Sequence, residues 1–271
     1  MSLIGKRIAV IGYGTMGQAL VGALLSDGAV AATDLTATVG HQESAERLDA
    51  EHEFKVGTDN AATVAAADLV LLCVKPGVLR RVLADLREAG ALDHGPLLVS
   101  IAAGVSTGEL EQLAGGELAV VRAMPNTPCL VGAGMSVLAA GSRADSTHLD
   151  VAEALLSPLG SVLCLDEEHM NAVTGLSASG PAFVYLIIEA LSEGGVMVGL
   201  PRKVAVELAA QTVLGAARMV QETGRHPAAL KDDVTTPAGC TISALLSLED
   251  GRLRSVLARG VQEAARAASQ L

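Results

Sequence analysis

Two short segments have residue types and spacings suited to holding anions without a charged side chain. The first, Gly12-Tyr13-Gly14-Thr15-Met16-Gly17, follows the apolar run 7–11 and opens a helix-forming stretch, 18–25. A G-x-G-x-x-G loop between a strand and a helix is built for a dinucleotide diphosphate. Gly12 permits the tight turn, Gly14 lets the backbone approach the phosphates, and Gly17 allows close packing of helix on strand. The helix start adds unpaired N–H groups at the positive end of its dipole. The second segment, Thr235-Thr236-Pro237-Ala238-Gly239-Cys240-Thr241, reads as another helix start, with Thr236 as N-cap and Pro237 at the first helical position. The N–H groups of Gly239, Cys240 and Thr241 then face outward and attract a small carboxylate, each contribution being worth about 0.3 to 2 kcal/mol. The Thr241 hydroxyl stands beside that anion as a hydrogen-bond donor.

Three further strand ends, 74–77, 100–104 and 123–128, carry small residues and prolines of the kind that let backbone groups reach a flat ligand. Lys75 fits a phosphate ligand or a proton donor, and equally a lysine snorkelling from the sheet edge. Asn126 fits a turn cap or a carboxamide ligand. Enzymes that bind NAD place an acid at the end of the second strand to hold the ribose hydroxyl, and the strand end 36–41 has none. NADP(H) is therefore favoured, with NAD(H) as the alternative, although no arginine stands at that strand end. Cys240 sits at a helix start without a histidine nearby in sequence and reads as a small packing residue; Glu167-Glu168 reads as an acidic first turn. The histidines and cysteines show no metal-ligand spacing, so no metal is expected.

The elements that position these residues follow from the periodicity. Apolar runs at 7–11, 34–39, 69–74, 97–101, 119–122, 135–139 and 162–165 alternate with helix-like stretches, the βαβ signature. Runs apolar at nearly every position suit strands covered on both faces, which predicts an α/β fold with a parallel, doubly wound sheet. Beyond about residue 166 the period becomes helical, over 168–198, 202–223 and 251–270, with breaks at 199–201, 224–227 and 235–239. The expected division is a dinucleotide-binding part, 1–166, followed by an all-α part, 167–271. Glu189 and Glu193 interrupt the most apolar helix, 181–198, which is expected to be buried, with a partner subunit supplying cover. No uninterrupted apolar run long enough to span a bilayer is expected.

The composition narrows the functions further. Aromatic residues are 1% of the 271, too few for a base-stacking nucleic-acid binder. With 30 acidic against 19 basic residues the formal charge is −11, which repels phosphate backbones and anionic membranes, so neither is an expected partner. Cys73, Cys129, Cys164 and Cys240 are widely spaced, as in a reducing cytoplasm.

Together the stretches IGYGTMGQAL, CVKPGVL, SIAAGVS, RAMPNTPCLVGAGMS, NAVTGLSASGPAFVY, GLPR and HPAALKDDVTTPAGCTISALLSLEDG resemble the pyrroline-5-carboxylate reductase family over nearly the whole chain. The resemblance implies a Rossmann domain followed by a helical dimerisation domain, self-association as a homodimer or a larger ring of dimers, and NAD(P)H-dependent reduction of a cyclic imine to proline. It also implies that Gly12, Tyr13, Gly14, Thr15, Met16, Gly17, Thr38, Asn60, Val74, Lys75, Pro76, Ala102 and Ala103 contact the cofactor. By the same resemblance Thr236, Gly239, Cys240 and Thr241 hold the substrate carboxylate and ring nitrogen, with Glu167 and Asp233 nearby and Thr241 as the catalytic residue. The usual Pro-Gly-Gly is here Pro237-Ala238-Gly239, and the usual Ser-Gly-Ser-Gly is Ser177-Ala178-Ser179-Gly180. The rival readings are a 3-hydroxyacid dehydrogenase, for which Lys203 is the nearest candidate base, and a non-enzymatic NADP-binding regulator.

Overall fold

The structure, a computed structural model, describes residues 3–270. Strands β1 (Ile8–Ile11), β2 (Leu35–Thr38), β3 (Lys55–Gly57), β4 (Leu69–Leu72), β5 (Leu97–Ser100), β6 (Val120–Met124), β7 (Gly134–Ala140) and β8 (Gly160–Cys164) form one sheet in the order β3-β2-β1-β4-β5-β6-β7-β8. Helices α1 (Thr15–Ser26), α2 (Gln42–Glu51), α3 (Asn60–Val64), α4 (Pro76–Glu88), α5 (Thr107–Ala114) and α6 (Ser146–Leu156) connect the strands. The order reverses between β1 and β4, which opens the crevice where doubly wound sheets take their ligands. Each strand supplies both faces: Ile8, Val10, Leu69 and Leu71 pack with α1, α2 and α6, while Ala9, Ile11, Val70 and Leu72 pack with α4 and α5. Period-two alternation therefore distributes an uninterrupted apolar run over two cores, and all four residues of β1, β4 and β5 are buried.

Two features differ from the expected sheet. The strand β3 was not foreseen, because the short KVG segment has a single buried residue, Val56, and no alternation to read. The sheet is also mixed: β6 and β7 run antiparallel, with Val121 opposite Ala140 and Met124 opposite Val137. The intervening segment, 125–133, holds only a short 3-10 turn, Thr127–Val131. A parallel return needs a crossover of about a dozen residues or more, so the chain reverses instead.

After β8 a 3-10 turn at Glu167–His169 leads into α7 (Met170–Val173), a π turn at Thr174–Ala178 and α8 (Gly180–Met197). These join in a continuous helical run, Glu167–Met197, of mean hydropathy 1.3 in its most apolar window, long and apolar enough to cross a membrane by length and composition alone. This corrects the expectation that no such run exists, since Gly175 and Pro181 do not break the helix. Pro181 has no N–H to offer the carbonyl four residues earlier and its ring would crowd it. That carbonyl belongs to Ser177, inside the π turn, and it accepts a hydrogen bond from Asn126 Nδ2 at 3.1 Å. Asn126 Oδ1 in turn accepts from the Met135 amide at 2.9 Å, so one side chain ties the loop after β6, the start of β7 and the helix together. Asn126 stands at the N-cap position of the Thr127–Val131 turn, but its side chain makes no cap hydrogen bond there and is turned to Ser177 and Met135 instead.

The remaining helices are α9 (Arg202–Thr223), α10 (Pro227–Asp233), α11 (Cys240–Asp250) and α12 (Leu253–Ala268). The chain divides into two compact units, one made of residues up to Ala178 with the last few from Ala264 onward, the other Ser179–Glu263. The first unit keeps Met170 and Val173 because they pack with Met124, Val137 and Ala139, so compactness parts the chain later than the change of period at 166. In the second unit α8 is open within the single chain, where the expected cover was to come partly from a partner subunit: Leu186 is 65% and Met197 85% exposed, and Tyr185 and Leu191 on α8 and Leu208 on α9 are also open. Among the described residues no layer covers them.

Asn126→Ala leaves the Ser177 carbonyl and the Met135 amide without a partner. A loss of about 2 kcal/mol in the unfolding free energy is expected, read from urea denaturation against wild type.

Candidate functional site

The glycine loop shows three different requirements at its three glycines. Gly12 has φ +96, and a Cβ there would meet Val74 Cγ1 at 2.6 Å, so a side chain would collide with the end of β4. A Cβ on Gly17 would lie 2.8 Å from the Gly12 carbonyl oxygen; its absence lets α1 seat directly on the turn. At Gly14 a Cβ would touch nothing, so the space beside that backbone is open. Gly14 is also the N-cap of α1 and offers no side-chain cap, which leaves first-turn N–H groups for an anion. A crowded Gly12, a seated Gly17 and an open Gly14 fit a cradle for a diphosphate. The Gly12 and Tyr13 amides both donate to the Thr38 carbonyl, at 3.1 and 2.7 Å, fixing the loop to the end of β2.

Tyr13 contributes backbone alone. Its side chain is 3% exposed and turned into the core, edge-on to Phe54 and His52, with its hydroxyl 3.2 Å from His52 Nε2. Thr15 is exposed at the head of α1, and Met16 lies 3.2 Å from the Cys129 sulfur. Beside the loop, a cavity of about 220 Å³ is lined by Gly12, Thr38, Gly40, Thr58, Asn60, Val74 and Arg81, among others. The Thr38 hydroxyl donates to Asn60 Oδ1 at 2.7 Å, so the end of β2 presents a neutral pair. Arg81, on α4, was missed: the expectation that no arginine serves this region looked only along β2, and helical spacing from Val78 is the signal that places Arg81 there. Lys75 is the exposed N-cap of α4 and Pro76 its first residue. Ala102 is buried and Ala103 half-buried at the end of β5.

The second anion segment is built differently from its sequence reading. Gly239, not Thr236, is the N-cap of α11, and Cys240 is its first residue. Ala238 has φ +58, which no helix can continue, and Thr236 to Gly239 close a turn through the Gly239 amide and the Thr236 carbonyl at 3.0 Å. The Gly239 N–H is therefore spent within the turn, and the open donors move on to Cys240 and Thr241. A Cβ on Gly239 would collide with the Thr236 hydroxyl. Gly239 offers α11 no side-chain cap, so this helix start is as open to an anion as that of α1. Cys240 is exposed rather than packed. Asp233, at the end of α10, accepts from Arg225 Nη1 at 2.6 Å, which holds its carboxyl below the usual aspartate range.

Glu167 is committed inside the sheet unit. Its carboxylate accepts from the Thr107 amide at 2.7 Å, the Thr107 hydroxyl at 2.5 Å and Arg122 Nη1 at 3.1 Å. Burial pushes the Glu167 carboxyl up, but Thr107 and Arg122 together bring it below the ordinary glutamate value. Arg122 on β6 is itself buried, and its Nε has no hydrogen-bond partner among the described residues. Sequence reasoning treated Arg122 as the last residue of a strand; an arginine inside an apolar run was the signal that a buried acid must answer it.

Residues 167–271 match the family model for pyrroline-5-carboxylate reductase dimerisation, and residues 7–104 match that for NADP oxidoreductase, coenzyme F420-dependent. A pyrroline-5-carboxylate reductase of Synechocystis is 42% identical over 98% of this chain and 98% of its own. The solved pyrroline-5-carboxylate reductase of Coxiella burnetii superposes with a TM-score of 0.91 at 33% identity, covering 98% of both chains. The Plasmodium falciparum pyrroline carboxylate reductase, solved with NADP bound, gives 0.86 at 28% identity, again over 98% of each.

Glu167→Gln leaves the buried Arg122 guanidinium without its counter-charge, and a loss of about 3 kcal/mol is expected at neutral pH. Because the folded-state pKa of Glu167 is lowered, its contribution is complete above the ordinary glutamate pKa and lost as pH falls through the lower folded value. Denaturation across an acid series should therefore show the two proteins converging in that window. Ala238→Gly relieves a left-handed alanine and is expected to raise stability by about 0.5 kcal/mol after the entropy cost of glycine, measured by thermal unfolding.

Proposed function

The chain belongs to the pyrroline-5-carboxylate reductase family, and on that premise we propose that it reduces L-1-pyrroline-5-carboxylate to L-proline with NADPH, the last step of proline biosynthesis. The observation that carries this reading is a pair of helix starts without side-chain caps, Gly14 at α1 and Gly239 at α11. One suits a diphosphate and the other a small carboxylate. The residues around Gly14 fit the dinucleotide, which when bound supplies a hydride equivalent to the imine carbon.

Gly12, Gly14, Thr15, Met16 and Gly17 hold the diphosphate through backbone, with Tyr13 anchoring the loop from below. Thr38 and Asn60 line the adenosine side, while Val74, Lys75, Pro76, Ala102 and Ala103 line the ends of β4 and β5. Thr236, Gly239 and Cys240 shape the turn that receives the substrate carboxylate. The Thr241 hydroxyl hydrogen-bonds the ring nitrogen as it changes from imine to amine. An imine carbon is already electrophilic, more so when its nitrogen is protonated, so the protein's task is orientation rather than strong acid catalysis. Glu167 and Asp233 are not assigned proton delivery, since each carboxylate is already held by an arginine.

We also propose that residues 1–166 serve the cofactor and 167–271 the substrate and self-association. The open apolar faces of α8 and α9 are then covered by a second copy of the chain, as a homodimer or a ring of dimers, and not by lipid or nucleic acid. We place the protein in the cytoplasm.

Purified protein should oxidise NADPH, and more slowly NADH, on addition of pyrroline-5-carboxylate, followed by loss of reduced-nicotinamide absorbance. Thr241→Ala should lower kcat/KM by about tenfold to hundredfold while the NADPH Kd stays at the wild-type value. Oxidation of hydroxy acids, or tight cofactor binding with no turnover of any cyclic imine, would overturn the assignment.

A further inference from the structure

The cavity beside the glycine loop contains one cation and no carboxylate among its lining residues. We propose that the Arg81 guanidinium selects a dinucleotide carrying a phosphate on its adenosine ribose, doing from helix α4 what a residue at the end of β2 does elsewhere. This inference rests on the dinucleotide reading above and names the residue that sets the choice between the two cofactors.

Helical spacing brings Arg81 to the cavity. On α4, Leu79, Val82, Leu83 and Leu86 are buried, and Val78, Arg81 and Val82 form a stripe along the cavity wall. The neighbouring Arg80 turns the other way and donates through Nε to Glu109 at 2.5 Å. Two adjacent arginines are thus used differently: one is neutralised by α5, and the other is kept on the cavity. Among the described residues Arg81 makes no ion pair or hydrogen bond, although Asp85 stands one turn along the same helix at a spacing where such pairs form.

The other wall of the cavity has no negative charge for Arg81 to neutralise. Thr38, which ends β2, is 2% exposed and bonded to Asn60, so neither of these two groups repels a phosphate. Gly40 carries no side chain and a Cβ there would meet nothing, leaving the approach open. The nearest carboxylate in sequence, Asp59, is occupied as the N-cap of α3, accepting from the Ala62 amide at 3.0 Å. A planar guanidinium with several donors matches a phosphate better than a point charge does, and in a chain of formal charge −11 a local cation is needed to offset the repulsion a second phosphate meets.

NADP+ and NAD+ differ only in that ribose phosphate, so calorimetric titration of the full chain with each, without substrate, isolates the contact. Wild type should bind NADP+ more tightly, with the preference shrinking as salt screens an exposed ion pair. Arg81→Ala should weaken NADP+ by about tenfold and leave NAD+ within about twofold; Arg81→Lys should fall between. Unchanged NAD+ affinity also establishes that the variant is folded. The proposal is overturned if Arg81→Ala keeps the wild-type preference, or if both cofactors weaken equally. Should wild type show the Arg81-dependent preference yet fail to turn over pyrroline-5-carboxylate, the reaction assignment fails while this inference stands. Turnover of the imine with a preference indifferent to Arg81 sinks this inference alone.

Discussion

A backbone can grip a phosphate only where no side chain stands between them, and the glycine turn after β1 meets that steric condition. Gly12, Gly14 and Gly17 are needed for separate reasons: a collision with Val74, an open flank, and direct contact of helix on turn. The sheet is arranged around this loop. The order reversal between β1 and β4 opens the crevice, and the two amides bonded to the Thr38 carbonyl fix the loop to the neighbouring strand. With so few aromatic residues, the cores beneath are made of leucine, valine, isoleucine and alanine, whose burial contributes about 1.5 to 3 kcal/mol per large side chain. Phe54 and His52 pack against the ring of Tyr13, which anchors the glycine turn in the core.

Polar groups placed in such an interior must be answered. Arg122 on β6 is answered by Glu167, and Thr107 at the start of α5 fills the remaining positions on that carboxylate. Asn126 answers the Ser177 carbonyl that Pro181 cannot bond, and the Met135 amide besides. Both clusters lie where the long helix begins, and both join segments far apart in the chain. Removing one partner strands the others, so the cost of a change there exceeds that of a single hydrogen bond. The second unit shows the opposite condition. Its helices carry leucines, valines and methionines that the chain does not cover, which accords with a region matching a dimerisation family model.

Much of this was legible in the sequence. Short, mainly apolar runs marked seven of the eight strands, and those of β1, β4 and β5 are buried at every position because they are covered on both faces. The glycine spacing marked the turn between β1 and α1, and the change to helical period identified the helical region that follows. What escaped were features without a local pattern: the three-residue β3 and the reversal at β7, which follows from the shortness of its connection. At the second anion segment the sequence suggested Thr236 as the cap, since threonine before proline usually starts a helix. Ala238 in a left-handed conformation moved that start to Gly239.

The sequence by itself determined the element types, the position of the glycine turn and the family, because these depend on periodicity and on which backbone conformations a residue allows. Only the tertiary structure decided which distant side chains meet. Arg122 with Glu167 and Asn126 with Ser177 are pairings across long stretches of chain, and Arg81 and Thr38 line one cavity from distant segments, all set by strand order and helix rotation. No spacing rule along one segment encodes them, since a side chain's partner is chosen by the packing of the elements that carry it.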